Sequence, residues 1–174
     1  MKAIPVIETD RLILRGFEPP DFEAFAAIHA DPAVMKYLGD SKPVERNTAW
    51  RQMAAFLGHW ELRGYGVWAV EEKSSRELVG RVGLWKPEGW PDLEAIWTIA
   101  PSRWGKGYAP EAAHESLRYA FEILGVDHVI SLIRPDNAKS IRVAEKIGER
   151  YDRKIDLFGT PVSVYRVNRD TWRR

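Results

Sequence analysis

Two segments in the first half of the chain place apolar residues at the three- and four-residue spacing of a helix. Residues 21–30 form the first segment and residues 45–63 the second, which Gly64 is expected to end. In the second helix, the side chains predicted to face the core are Trp50, Met53, Leu57 and Trp60. Stretches with the composition and turn spacing of strands cover residues 11–15, 66–72, 77–86 and 93–99. The last three of these strands predict an antiparallel meander.

The second half of the chain changes periodicity again. An apolar stripe predicts a helix over residues 110–124, which Gly125 ends, and a strand follows at residues 128–134. A strand, a helix and a strand in succession form a right-handed crossover, so residues 93–99 and 128–134 are expected to be parallel neighbours.

The remaining residues add one helix and one hairpin. Asn137 is expected to cap a helix that runs to Ile147, and residues 151–168 are expected to form a hairpin that turns at residues 158–161. No repeat or linker divides the chain. The pattern therefore predicts a mixed α/β (α+β) sheet in a single domain over residues 1–174.

A glycine-containing loop joins strand 93–99 to the helix that follows it. Its sequence, Trp104-Gly105-Lys106-Gly107-Tyr108-Ala109, has two glycines that permit left-handed backbone angles, so successive N–H groups can point at one anion. The free amides of a helix start and the charge of Lys106 suit a diphosphate. A P-loop is excluded because no Ser or Thr follows Gly-Lys, and a dinucleotide fingerprint is excluded because Pro110 replaces its third glycine. A tight turn before an ordinary helix explains the same residues.

Composition narrows the partners and the compartment. The 174 residues carry 26 Lys and Arg against 25 Asp and Glu, so no basic surface for nucleic acid or an anionic membrane is indicated. The chain contains no Cys, which excludes disulfides and a cysteine nucleophile, and its four His lack metal-ligand spacing. No leader and no membrane-length apolar run is present, so we expect a cytoplasmic protein without a metal.

Several motifs occur together in a familiar order. Besides Trp104–Ala109 with Glu111-Ala112, they are Glu8–Arg15, Asp31-Pro32, Val34–Gly39, Leu78–Leu84 and Pro135–Val143. Together they resemble the GNAT superfamily of N-acetyltransferases, in the branch similar to ribosomal-protein-alanine N-acetyltransferases. The resemblance implies a GNAT-like fold with a central, mostly antiparallel sheet, one splayed pair of parallel strands, and helices on both faces. It also implies acetyl-CoA as the acetyl donor.

The resemblance places the cofactor along strand 93–99 and the loop after it. The pantetheine arm would pair with the exposed strand backbone where the two parallel strands part, and the diphosphate would reach the loop amides. The cofactor-binding residues that it implies are Thr98, Ile99, Trp104, Gly105, Lys106, Gly107, Tyr108, Ala109, Asn137 and Ser140.

The resemblance further implies direct attack of an amine on the thioester in a ternary complex. Glu94 matches the family's strand glutamate and is the candidate general base, acting through a water, although a Glu paired with a surface Arg fits the position too. Ser140 is the candidate donor to the leaving thiolate; its alternative role is to help Asn137 cap a helix, and Asn137 can do both. Many members have a general-acid Tyr where this chain has Ala144, and Gly148-Glu149 replaces the usual Gly-Phe.

The acceptor is expected to be a protein N-terminal α-amine or a small-molecule amine. By family analogy its cleft is bordered by Tyr37, Leu38, Gly39, Trp85 and Trp97, although tryptophans in strands often serve packing alone. Two other hypotheses remain: an acyl-CoA sensor without catalysis, and a Trp-lined binding module unrelated to CoA. The sequence is compatible with a monomer or a homodimer.

Overall fold

The computed structural model describes residues 3–173 of the chain. Eight strands form one sheet in the order β1-β2-β3-β4-β5-β6-β8-β7. The strands are β1 Ile7–Glu8, β2 Leu12–Arg15, β3 Val67–Glu72, β4 Leu78–Trp85, β5 Glu94–Ile99, β6 His128–Ile133, β7 Arg150–Leu157 and β8 Thr160–Asn168. Neighbouring strands are antiparallel throughout, except that β5 and β6 are parallel.

Five α-helices connect these strands: α1 Phe22–Ala30, α2 Pro32–Met35, α3 Arg46–Arg63, α4 Tyr108–Arg118 and α5 Ala138–Lys146. Their ends follow local chemistry. The carboxylate of Asp31 accepts a hydrogen bond from the Ala33 amide and caps α2, the amide oxygen of Asn137 accepts one from the Ser140 amide and caps α5, and Gly64 ends α3 in a left-handed conformation. Among residues 3–173, every helix is too short or too polar to span a lipid bilayer.

The sheet buries both of its faces at β3, as the alternation along that strand shows, whereas the edge strand β7 is largely exposed. Trp68 and Val70 belong to the same apolar cluster as the inner side of α4, whereas Val67 and Ala69 pack with α1 and α3. Successive residues of a strand point to opposite faces, so helices cover the sheet on both sides. The predicted fold class is therefore confirmed.

The parallel pair is joined at one end only. Its register contains a single pair, Glu94 with Ile130, after which β5 and β6 diverge. The two strands thus form a fork. The amide of Ile130 donates to the carbonyl of Leu93 (3.0 Å) and closes this fork at one end. The expected splayed pair is therefore present.

The predicted elements lie within a few residues of the observed ones, with four differences. The short β1 and α2 were not predicted. The helix expected at residues 110–124 begins earlier, at Tyr108, so Pro110 lies in its first turn, and a π-helical segment at Tyr119–Ile123 continues it. The prediction that Trp50 faces the core is wrong, because its side chain is 57% exposed. The buried stripe of α3 runs through Ala49, Met53, Phe56 and Trp60, so Trp50 is turned away from the core.

Candidate active site

The loop after β5 leaves its backbone donors free. Gly105 and Gly107 have φ angles of +78° and +84°, the left-handed region that favours glycine, and residues 104–106 are exposed. Among residues 3–173, no acceptor takes a hydrogen bond from the amides of residues 105–109. These amides surround the start of α4, where the helix dipole is positive. The loop therefore presents free amides around a helix start, a geometry that suits an anion.

The loop is supported from the N-terminal segment. Arg11 donates from Nε (2.7 Å) and Nη2 (2.5 Å) to the carboxylate of Glu111, and from Nη1 to the carbonyl of Lys106 (2.7 Å). The hydroxyl of Thr9 donates to the same carboxylate (2.5 Å). The motif around Thr9 and Arg11 thus holds the underside of the loop, and Arg11 balances the acid in the first turn of α4.

The hydroxyl of Tyr108 is engaged within the protein, so Tyr108 can offer a ligand its backbone amide but not its hydroxyl. The side chain is buried, and its hydroxyl donates to the Glu72 carboxylate (2.5 Å), which Arg103 also binds. The hydrogen bond from Tyr108 is the largest cause that lowers the pKa of Glu72, and the same bond raises the pKa of Tyr108. This network fixes the loop from the sheet side.

The fork exposes alternate residues of β5. The amide of Ala100 donates to Val79 on β4 (2.8 Å), whereas the carbonyl of Leu93 faces β6. By the alternation of an antiparallel ladder, Trp97 and Ile99 present their backbone groups to the gap. Thr98 faces β4, and its buried hydroxyl has no partner within the described chain. Of these predicted cofactor residues, Ile99 therefore borders the gap and Thr98 does not.

Two groups already occupy part of this exposed edge. The indole N–H of Trp104 donates to the carbonyl of Ile99 (2.7 Å), and the hydroxyl of Ser131 donates to the carbonyl of Ala95 (2.9 Å). The ammonium group of Lys139 lies 3.7 Å from the centre of the Trp104 ring. Trp104 thus joins the strand, the loop and the first turn of α5.

A cleft of about 620 Å³ opens beside the fork. All five residues predicted to border the acceptor lie in its wall, together with the three predicted catalytic residues: Tyr37, Leu38, Gly39, Trp85, Trp97, Glu94, Asn137 and Ser140. Trp90, which like Trp85 flanks a loop rich in Pro and Gly and was considered as a pocket residue, also lies in the wall, whereas Arg81, Arg134 and Phe158 were not predicted to do so. The structure therefore brings the predicted acceptor and catalytic residues into one space.

Glu94 lies at the closed end of the fork and is buried. Its Oε1 accepts from the Leu132 amide on β6 (3.1 Å), and its Oε2 accepts from the Trp90 indole (2.7 Å). Burial raises the pKa of Glu94 to about 7, although the bonds from Trp90 and Leu132 and the charge of Arg81 act in the opposite direction. The alternative of a surface ion pair does not hold, because Glu94 forms no salt bridge within residues 3–173.

Asn137 and Ser140 act on each other at the start of α5. The amide nitrogen of Asn137 donates to Ser140 Oγ (3.0 Å), and the Ser140 amide donates to Asn137 Oδ1 (3.2 Å). No residue of the described chain accepts the hydroxyl hydrogen of Ser140. The predicted capping role is thus confirmed for Asn137, and Ser140 keeps a donor available in the cleft wall.

One further titratable residue, Glu149, lies beside this centre. Glu149 is fully buried; one of its oxygens lies 2.9 Å from the Ser131 hydroxyl, and the other has no hydrogen-bond partner among residues 3–173. Burial, and to a smaller extent the charge of Glu94, raise the pKa of Glu149 well above its ordinary value. The departure from the usual Gly-Phe was the only sign of it in the sequence. Within residues 3–173, no cluster of His, Asp and Glu has the arrangement of a metal site.

A sheet that forks beside a helix start with free amides defines a class, the acyltransferases of GNAT fold. The family model described as an acetyltransferase (GNAT) domain matches residues 11–150. The chain therefore belongs to the GNAT acetyltransferase family, whose members carry out acetyl-CoA-dependent N-acetylation.

Individual relatives are similar to this chain over nearly its whole length. The YkkB protein of Bacillus subtilis (strain 168) is 35% identical over 95% of this chain and 96% of its own length. An N-acetyltransferase of the same organism, YoaA, is 31% identical over 94% of this chain and 96% of its own. The crystal structure of an acetyltransferase from Agrobacterium tumefaciens str. C58 superposes with a TM-score of 0.85 at 30% identity, covering 97% of this chain and 96% of that one. The chain is accordingly an acyltransferase.

Proposed function

We propose that this chain, as one domain, transfers an acetyl group from acetyl-CoA to a primary amine, either a protein N-terminal α-amine or a small-molecule amine. The observation that carries the proposal is the placement of Glu94, Asn137 and Ser140 around one cleft beside the fork of β5 and β6. The free loop amides support binding of a diphosphate at the other end of the fork. The thioester of acetyl-CoA supplies the acyl group.

Glu94 is proposed to take up the proton of the attacking amine, directly or through a water. An α-amine with a pKa of ~7.8 costs about 1.1 kcal/mol to deprotonate at pH 7, and a lysine-type amine at ~10.4 costs about 4.6 kcal/mol. A base whose own pKa is about 7 suits the first of these and retains a large basic fraction at neutral pH.

Ser140 is proposed to stabilise the departing sulfur. A thiolate with a pKa near ~8.5 needs a hydrogen bond more than it needs a proton. Asn137 holds Ser140 Oγ through its amide nitrogen, so the hydroxyl hydrogen is directed away from Asn137. This arrangement gives the chain a donor without the tyrosine that Ala144 replaces.

A Glu94→Gln variant is expected to lower kcat by about 100-fold, in the lower part of the range for loss of a general base. Since burial raises the pKa of Glu94 to about 7, activity of the unaltered protein should rise as the pH increases through 7. Thiol release is measured from pH 5.5 to 9 with acceptors of different amine pKa. A limb that stays near 7 for all acceptors belongs to Glu94, and it should vanish in the variant.

Thiol release together with CoA binding separates the transferase hypothesis from that of an acyl-CoA sensor without catalysis. If calorimetry shows CoA binding but no amine in a panel of peptides, polyamines and aminoglycosides accelerates thiol release, the chain is a sensor. Membership of the GNAT family leaves the CoA-independent module without support. We also propose a cytoplasmic location and a monomer or homodimer, which fractionation and light scattering test.

A further inference from the structure

Arg81 projects from β4 into the cleft. It lies opposite Thr98 on β5, and Trp85, four residues further along β4, lies opposite Glu94. Residues directly opposite in an antiparallel pair share a face, as do residues four apart in one strand. The guanidinium of Arg81 therefore emerges on the same face of the sheet as the Glu94 carboxylate.

One side of the guanidinium is held by a neutral group. Nε of Arg81 donates to Nε2 of His29 (3.1 Å). Nδ1 of His29 lies 2.8 Å from the carbonyl of Phe25; because a carbonyl only accepts, Nδ1 carries the hydrogen and Nε2 is free to accept from Arg81. Burial, followed by the charge of Arg81, lowers the pKa of His29 to about 4. His29 thus orients Arg81 without neutralising it, and the ring of Phe56 packs 5.1 Å below the guanidinium carbon.

The terminal nitrogens have no such acceptor. Nη1 of Arg81 is shielded from solvent and has no hydrogen-bond partner among residues 3–173, and Arg81 forms no salt bridge there. Burial lowers its pKa to about 10, so it remains charged at neutral pH. Glu94 attracts it through space, but both Glu94 oxygens are already bound by Trp90 and Leu132.

A shielded cation without an ion-pair partner is unfavourable unless an anion approaches it. The planar guanidinium of Arg matches the two oxygens of a carboxylate, and charge-assisted hydrogen bonds of this kind are among the strongest in proteins. The single negative charge of a carboxylate also balances one guanidinium. Apolar rings surround the position, with Phe56 on one side and Trp85 packed edge-on against it.

We propose that the acceptor amine carries a carboxylate on an apolar or aromatic frame, and that Arg81 binds this carboxylate. The inference rests on the proposed transferase function for the identity of the ligand as an acceptor. Arg81 is then the residue that determines specificity for acidic amines, while Glu94 on the same face serves the amine end.

The first test measures binding without turnover, so that its failure differs from failure of the transferase proposal. Calorimetry with the CoA-saturated protein compares 3-phenylpropionate with 3-phenylpropanol, in which an uncharged hydroxymethyl group replaces the carboxylate. The acid is expected to bind at least about tenfold more tightly, equivalent to about 1.4 kcal/mol. Arg81→Gln should abolish this preference. Arg134→Gln is the matched control, because Arg134 lines the same cleft but already donates to Ser41 and Gly39; it should retain the preference.

The second test uses acetyl transfer to two matched pairs: phenylalanine with 2-phenylethylamine, and 4-(aminomethyl)benzoate with benzylamine. In at least one pair, kcat/KM should favour the acid by about tenfold or more, and Arg81→Gln should raise KM for the acid much more than for the neutral amine. Equal binding of acid and alcohol, or an equal loss for both members of each pair, would overturn the proposal. So would an Arg81→Gln variant that shifts the pH limb of Glu94 but keeps the preference for the acid.

Discussion

The loop of residues 104–109 and the acceptor cleft present opposite kinds of surface. The loop offers backbone N–H groups in an exposed turn, and the side chains around it, above all Arg11 and Tyr108, are engaged in supporting it. The cleft offers side chains, among them Arg81, whose Nη1 has no hydrogen-bond partner among residues 3–173. Recognition by backbone needs only the right conformation, whereas recognition by side chains needs particular residues at particular positions.

This contrast has a consequence for substitution. A change in the loop should matter mainly through φ or through its support, and a change in the cleft mainly through charge. We therefore expect that the two regions can be altered independently.

The largest effect is expected from Gly107→Val. Gly107 has a φ of +84°, and a β-branched residue is a genuine outlier there, so the turn must rearrange and its amides no longer converge. CoA affinity, measured by calorimetry, should fall by about 100-fold, equivalent to about 2.7 kcal/mol. Gly125→Val is the matched control, since Gly125 has a φ of +69° at the far end of the same helical region. Equal losses in both variants would show that instability, rather than the loop, is being measured.

An intermediate effect is expected from Glu149→Gln, on stability rather than on CoA binding. The pKa of Glu149 is raised in the folded protein, so the unfolded chain loses this proton first and the free energy of unfolding decreases as the pH rises above about 4.5. Relative to the unaltered protein, the free energy of unfolding of the variant should therefore increase by up to about 1.4 kcal/mol per pH unit between pH 5 and the pKa of Glu149 in the folded protein. Urea unfolding at several pH values measures the difference. Glu145→Gln, an exposed change on α5, should show no such trend.

The smallest effect is expected from Arg11→Met. Without Arg11, the Glu111 carboxylate in the first turn of α4 is left beside the incoming diphosphate and the loop loses its bond to the Lys106 carbonyl. CoA affinity should fall by about three- to tenfold, as for loss of an exposed ion pair with some additional positioning. Arg46→Met, which removes a comparably exposed pair with Glu23, should leave affinity unchanged. A loss in both variants would point to general destabilisation.

The difference between the two regions also explains what the sequence could predict. Gly105 and Gly107 are needed for their backbone angles, and this requirement is local, so the residues themselves indicated a turn that could bind an anion, with an ordinary tight turn as the alternative until the resemblance was considered. The strands of the fork were equally accessible, because the strand–helix–strand order fixes their direction. Glu94, Asn137 and Ser140 were assigned through the resemblance, and their roles as catalytic groups stay predictions.

Arg81 and Glu149 could not be predicted in the same way. Each lies in a pattern that is equally compatible with an exposed charge, and the tertiary packing around β4 is what shields Nη1 of Arg81 from water. Trp50 shows the opposite error: helical spacing placed it on the core face, but the buried stripe of α3 runs through Ala49 and Met53 instead. Burial depends on which elements meet in space, and that information is not local.

The contact between Arg11 and Glu111 joins positions 100 apart in the chain. Drawing together such distant segments costs entropy before any bond rewards it, so contacts of this length tend to be made late during folding. We therefore expect a newly synthesised chain to form helix α4 before the diphosphate-binding turn becomes rigid. The ability to capture the acyl donor would then be among the last properties to mature.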